Sequence, residues 1–169
     1  MNLTDILLNA IGDPFTYSII FFVYVILAAI ILPIPVEIGL FNSSVHPIIL
    51  ITILGIGKGI GALIVFYIGK TVRRKFKSFS IGKNWKITKL ILEKSENFVK
   101  KYGHIGLFII MSIPLMVDSI TLYLFSLLNP TEGKTQLTAT KFVLINIAAG
   151  ATRGAIILAI FYYIGIQLI

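Results

Sequence analysis

Charge is what this chain has least of. Asp, Glu, Lys and Arg make up 13% of its 169 residues, against about 25% in an ordinary soluble domain. With 57% hydrophobic residues and a mean hydropathy of +0.95, the remaining polar groups could not cover so small a soluble protein. The composition predicts a single all-α integral membrane domain over residues 1–169, multi-pass in the cell membrane. Cysteine is absent, which excludes a disulfide framework, thiolate metal sites and cysteine nucleophiles. The two histidines, His46 and His104, fall at opposite predicted interfaces, so they cannot share a metal. No serine has a base in sequence reach, and no glycine loop follows a strand to cradle phosphate. No enzyme, metal or cofactor is therefore expected. The opening MNLTDILLNA has no basic n-region or small-residue cleavage site, so no removable signal peptide is expected.

The charge that is present is concentrated. Residues 71–101 hold Arg73, Arg74, Lys75, Lys77, Lys83, Lys86, Lys89, Lys94, Lys100 and Lys101 against Glu93 and Glu96, the whole net charge of +8. In a soluble chain such a block points to nucleic acid. Between long apolar stretches it follows the positive-inside rule, so a connector over 71–103 is expected in the cytoplasm, with no nucleic-acid partner. Ile87, Leu90, Ile91, Phe98 and Tyr102 recur at helical spacing, with Lys86, Lys89, Glu93, Glu96 and Lys100 opposite. That pattern suits a helix lying on anionic headgroups. Lys94 interrupts the apolar stripe, and a solvated connector explains the pattern as well. Membrane lipids are the expected partners, and a homo-oligomer is compatible with the sequence.

Four apolar stretches carry one charge each at their cores: 14–45 with Glu37, 48–68 with Lys58, 105–128 with Asp118 and 142–169 with Arg153. A spanning helix needs about 20 apolar residues, so the second and fourth are long enough to cross. The first and third are interrupted by Pro33 and Pro35, and by Pro114. Proline removes a helix hydrogen bond and clashes with the preceding turn. Broken backbone at membrane depth is tolerated only inside protein or beside a water-filled cavity, which predicts two re-entrant hairpins. Two kinked spanning helices are the plainer reading.

The halves resemble each other. Pro33-Ile-Pro-Val-Glu37 and Pro114-Leu-Met-Val-Asp118 share proline, valine and carboxylate at one spacing. Gly57 and Gly61 flank Lys58 as Gly150 and Gly154 flank Arg153, and each of these helices ends in Tyr-Ile-Gly, at Tyr67 and Tyr163. The pattern predicts an inverted repeat of re-entrant hairpin plus transmembrane helix, 14–70 and 104–169, joined by the basic amphipathic connector. Such repeats, with discontinuous segments meeting near mid-membrane, are common among transporters. With the connector inside, the second stretch runs inward from His46 to Lys70. Lys134 and Lys141 place the 129–141 connection inside as well. The N-terminus falls outside by symmetry, or inside if 15–32 spans outright.

A charge at bilayer depth is costly and is usually paired or lines a pathway. Glu37, Asp118, Lys58 and Arg153 are therefore the candidate substrate-binding or proton-coupling residues. Two buried salt bridges that only fix packing explain them equally simply. Gly57, Gly61, Gly150 and Gly154 are read as close helix packing of the small-xxx-small kind.

Pro33-Ile-Pro-Val-Glu37, Gly57-x-x-x-Gly61, Phe66-Tyr67-Ile-Gly69-Lys70, Phe98-Val-Lys-Lys-Tyr102-Gly103, Gly106-Leu-Phe and Ile113-Pro114, in this order over roughly 30–165, resemble the DedA family, also called the VTT or SNARE-associated Golgi protein domain. The resemblance adds Asn146, at the place of an asparagine early in the family's last helix. It implies facing re-entrant loops and transport of lipid across the bilayer. That transport is return of polyprenyl phosphate driven by proton motive force in some prokaryotic members, and phospholipid scrambling in eukaryotic ones. The chain departs from the family pattern at Met111 and Val117, where arginines are common, at Lys58, where some members are acidic, and at Arg153, where many carry tryptophan. A phosphate-gripping role would pass to Arg153 or Lys58. A structural or partner-binding membrane protein with internally paired charges is the alternative.

Overall fold

A computed structural model describes residues 3–31, 35–78, 101–129 and 136–164. Its regular elements are α1 (Leu3–Asn9), α2 (Pro14–Ile30), a 3-10 turn (Val36–Leu40), α3 (Pro47–Ser78), α4 (101–112), α5 (Asp118–Leu128) and α6 (Ala139–Ile164). The described residues are all-α, without a strand. Two helices are long and apolar enough to cross a membrane, Pro47–Val72 within α3 and Ala139–Tyr163 within α6. The apolar helix α2 is shorter, at 17 residues. Pro33, Lys134, Gly165 and the amphipathic stretch around Trp85 lie outside the described residues. The start of the basic connector lies inside them: α3 continues eight residues past Lys70, to Ser78.

The helix ends follow from local chemistry. Asp13 caps α2: its carboxylate accepts the Phe15 amide at 3.1 Å and the Thr16 hydroxyl. Pro14 then fills a first-turn position whose amide would have no helical partner. His46 does the same for α3, its Nδ1 accepting the Ile48 amide at 3.3 Å before Pro47 opens the helix. α4 closes at residue 112 because Pro114 has no amide to offer Ile110. The Ile110 carbonyl instead takes the Ile113 amide at 3.2 Å, and the chain resumes as helix only at Asp118. Between them Leu115 adopts φ +62°, a left-handed conformation unfavourable to a branched side chain.

α3 is the axis, and its glycines decide what packs on it. Gly55 lies against Ile147 and Ala151, Gly59 against Ile147 and Val143, and Gly154 against Ile51 and Leu54. Numbers rise on one helix as they fall on the other, so α3 and α6 are antiparallel. Gly57 and Gly61 lie on the other face, against Val25 and Ala29 of α2, and here the numbers rise together. Of the glycines expected to pack helices, Gly57 and Gly61 therefore serve α2, while Gly150 and Gly154 serve α3. Gly55 and Gly59 complete the α3–α6 contact.

The chain after α2 turns back along it. The Tyr24 hydroxyl donates to the Pro35 carbonyl at 3.3 Å, the Tyr17 hydroxyl to Gly39 at 3.0 Å and the Asn42 amide to Ile11 at 3.5 Å. α5 runs parallel to α3: Asp118 meets Lys58 at 3.1 Å, and further on the Ser126 hydroxyl reaches the Val65 and Phe66 carbonyls, each at 3.2 Å. Asn129 ties the end of α5 to the approach to α6, donating to the Leu137 carbonyl at 2.7 Å and accepting its amide at 2.9 Å. The two backbone breaks thus lie beside the middle of α3. α2 and its return lead to the N-terminal end of α3, and α5 leads to the C-terminal end. The halves are unequal in form: an 11-residue α-helix follows the second break, where only a five-residue 3-10 turn follows the first.

Candidate functional site

Glu37, Lys58, Asp118 and Arg153 come from four different elements and meet in one buried cluster. Their residue exposures are 4%, 0%, 6% and 1%. Lys58 stands 11 residues into Pro47–Val72 and Arg153 14 residues into Ala139–Tyr163, so both cations arise near the middle of their helices.

Arg153 holds both acids. Its Nε donates to Glu37 Oε1 at 2.7 Å, its Nη2 to the same oxygen and to the Met116 carbonyl at 3.0 Å, and its Nη1 to Asp118 Oδ1 at 2.7 Å. A planar guanidinium can serve three acceptors this way, where an ammonium cannot. Lys58 Nζ lies 3.1 Å from Asp118 Oδ1 and donates to the Met111 carbonyl at 3.2 Å. That carbonyl is the fourth-back partner which a continuous helix would give to Leu115. The Leu115 amide instead donates to Glu37 Oε1 at 2.8 Å. The proline break therefore frees backbone groups of both signs, and the charged side chains take them up.

The donors crowd onto one oxygen of each acid. Glu37 Oε2 and Asp118 Oδ2 are buried and have no hydrogen-bond partner among the described residues. With all four groups ionised the cluster is neutral, which is the condition for burying charge without a prohibitive desolvation cost. Among the described residues no group of three or more His, Cys, Asp or Glu is placed to hold a metal.

A groove of about 350 Å³ lies directly beside the cluster. Pro35, Glu37 and Phe41 line it from the first break, Pro114 and Leu115 from the second, and Ile157 and Phe161 from α6. Its walls are apolar apart from Glu37, and Leu115 at its rim is 75% exposed.

The structure thus brings together four of the five residues named from sequence and leaves out one. Asn146 is fully buried, but its amide donates to the Phe142 carbonyl of its own helix at 2.8 Å, and its Oδ1 has no hydrogen-bond partner among the described residues. Pro35 stands just before the 3-10 turn and Pro114 between α4 and α5. Sequence reading missed the backbone members of the site, Met111 O, Leu115 N and Met116 O. The signal available for them was the missing amide of Pro114, which must leave a carbonyl upstream to find another donor. Comparison with protein-family models, curated proteins and solved structures finds no match.

Proposed function

We propose that this protein is a membrane-embedded lipid transporter or scramblase of DedA-like design. It is an inverted repeat whose re-entrant segments, 14–45 and 105–128, are each followed by a spanning helix, with the basic connector in the cytoplasm. The observation that carries the reading is a buried cluster of two acidic and two basic side chains on broken backbone, its cations midway along the two helices long enough to span. Charges at that depth are costly and mark polar pathways, and buried ion pairs as mere glue are often matched by apolar residues.

The bilayer part of the reading is supported by the outward faces of the helices. Ile49, Ile56, Ile60 and Tyr67 on α3, with Leu144, Ile156, Ile160 and Tyr163 on α6, are exposed side chains spread over the apolar parts of the two helices. An apolar surface of that extent needs lipid or a partner to cover it. The opposed directions of the two broken segments along α3 support the inverted repeat.

In this mechanism the substrate is a lipid with an anionic phosphate headgroup, a phospholipid or a polyprenyl phosphate. Its apolar chain lies in the groove between the breaks, and its phosphate replaces a carboxylate on Arg153. The phosphate enters as a monoanion, and one proton taken up by the displaced carboxylate keeps the cluster neutral and couples the step to protons. No enzymatic step is involved.

A second reading has its own support: the four charges are sealed, none more than 6% exposed, as in a structural or partner-binding protein. Under the transport reading the sealed cluster is the resting state. The deciding experiment is reconstitution of the purified protein into liposomes with labelled phospholipid or polyprenyl phosphate. Translocation above protein-free vesicles, lost in folded Arg153→Lys protein, supports transport. Absence of translocation for every lipid class leaves the structural reading.

A further inference from the structure

The position of the Lys58 ammonium leads beyond lipid transport, to a different ligand. In membrane proteins with discontinuous helices, carbonyls at the broken ends and a nearby carboxylate form the sites of small monovalent cations. Here such a set exists and a side chain fills it. Nζ of Lys58 lies between Asp118 Oδ1 at 3.1 Å and the Met111 carbonyl at 3.2 Å, at the break before Asp118. The second Asp118 oxygen is buried and, among the described residues, without a hydrogen-bond partner. We propose that this is a monovalent-cation site of the alkali-metal class, permanently occupied by the chain's own ammonium.

Three observations carry the assignment. The oxygen donors are those a hard cation takes: one carboxylate and one main-chain carbonyl released by the proline break. Arg153 cannot take over the role, because its nitrogens are engaged with Glu37, Asp118 Oδ1 and Met116 O. The lysine stem also has a prepared path. A Cβ on Gly150 would stand 2.9 Å from Lys58 Cδ and 3.1 Å from Gly55 Cα, so the stem passes where α6 has no side chain. Truncating the lysine opens that path and leaves two carboxylates facing one guanidinium, a deficit of one positive charge. A free cation can restore it. The intact protein is thereby independent of alkali ions, and the inference stands on the cluster's geometry whatever the protein carries.

The test is thermal unfolding of the full chain in detergent, with NaCl or KCl exchanged for choline chloride at constant ionic strength and pH. The intact protein should unfold at the same temperature in all three salts. Lys58→Ala should unfold lower in choline and recover progressively with Na⁺ or K⁺, following the logarithm of cation concentration as a site bound only in the folded state requires. Adding Asp118→Asn should abolish the recovery. The proposal is overturned if Lys58→Ala responds to pH but not to cations, since a proton on a carboxylate then replaces the charge. It is also overturned if Lys58→Ala is as stable in choline as the intact chain, or if the intact chain itself requires an alkali ion. Should Lys58→Ala fail to accumulate, Lys58→Gln, which keeps a donor for the Met111 carbonyl, is measured in the same way. If neither accumulates in any salt while Lys58→Arg does, no free cation can stand in for the ammonium and the assignment falls.

Discussion

Arg153 illustrates how one side chain can be stretched between two distant parts of a chain: its acceptor Glu37 is 116 residues away and Asp118 35. Arg153→Met leaves two buried carboxylates with one ammonium, and breaking a buried pair in this way costs about 3–5 kcal/mol. A large fall in the unfolding midpoint in detergent is the expected result. Arg153→Lys keeps the charge but cannot serve Glu37, Asp118 and the Met116 carbonyl together, so it should fold with a smaller loss and fail to translocate lipid. Full translocation by the folded Lys variant would remove Arg153 from the substrate site. Asp13 gives the pH-dependent counterpart outside the apolar helices. Hydrogen bonds from the Thr16 hydroxyl and the Phe15 amide hold its carboxyl below the ordinary value of 3.8. A depressed folded-state pKa means that its capping contribution is complete above that value and is lost as pH falls through the lower, folded one. Protection of the Phe15 and Thr16 amides, taken relative to their intrinsic exchange rates, should be lost over that acidic window, and in Asp13→Ala it should be absent at every pH.

Elements meet here through glycine, so single methyl groups decide whether they can. At Gly61 a Cβ would stand 2.5 Å from Ala29 Cβ and 3.2 Å from the Ile26 carbonyl, and backbone cannot yield as a flexible side chain can. Gly61→Val should push α2 off α3 at a cost of about 1–3 kcal/mol, the usual range for overpacking. Gly12→Ala, with nothing within 4 Å of its Cβ, should leave the unfolding midpoint unchanged and serves as the control. The break at Leu115 has the opposite sign. Its left-handed conformation costs roughly 1–2 kcal/mol for a non-glycine residue, while glycine adds about 0.4–1 kcal/mol of unfolded-state entropy. Leu115→Gly should therefore stabilise the fold by about 0.5 kcal/mol. A drop in midpoint would mean that the Leu115 side chain contributes more at the groove rim than its conformation costs.

For the whole molecule the testable quantity is which end of α3 faces which side. The antiparallel packing of α3 and α6 puts the start of α6 toward the C-terminal half of α3, where the Phe66 and Phe142 rings meet in a tilted contact at 5.3 Å. The connections 79–100 and 130–135 are thus predicted to emerge on the same side, with the positive charge. Because the chain has no cysteine, each cysteine introduced is unique. Under the proposed topology, cysteines at Lys86 and Lys134 should label only from the cytoplasmic side, and one at Ser44 only from the other. Replacing the lysines of 71–101 by glutamine should weaken attachment to anionic lipid by about 1 kcal/mol per residue near the surface, or mix the two orientations. The α3–α6 core should stay intact. Labelling of Lys86 and Ser44 variants from one side would overturn the arrangement.

Much of this was legible in the sequence because it is local or compositional. The scarcity of charge, the two long apolar helices and the interruptions near Pro35 and Pro114 follow from side-chain chemistry and from an amide that proline lacks, properties a residue carries into any fold. The four charged positions were legible for the same reason, each being alone in its apolar stretch. Which of them pair was not. Two acids and two bases suggest two separate salt bridges, yet Arg153 serves both acids, because the 3-10 turn carrying Glu37 and the first residue of α5, Asp118, both come within reach of its guanidinium. Gly55, Gly57, Gly59 and Gly61 read alike in the sequence. Alternate members point to opposite sides of a helix, and only the packed structure assigns Gly55 and Gly59 to α6 and Gly57 and Gly61 to α2. Asn146 lies two turns from Arg153, and spacing along a helix cannot say which side chain finds a partner across the interface. Local chemistry determined where the backbone breaks; tertiary packing decided which charges close the breaks, because that choice depends on distances between segments far apart in the chain.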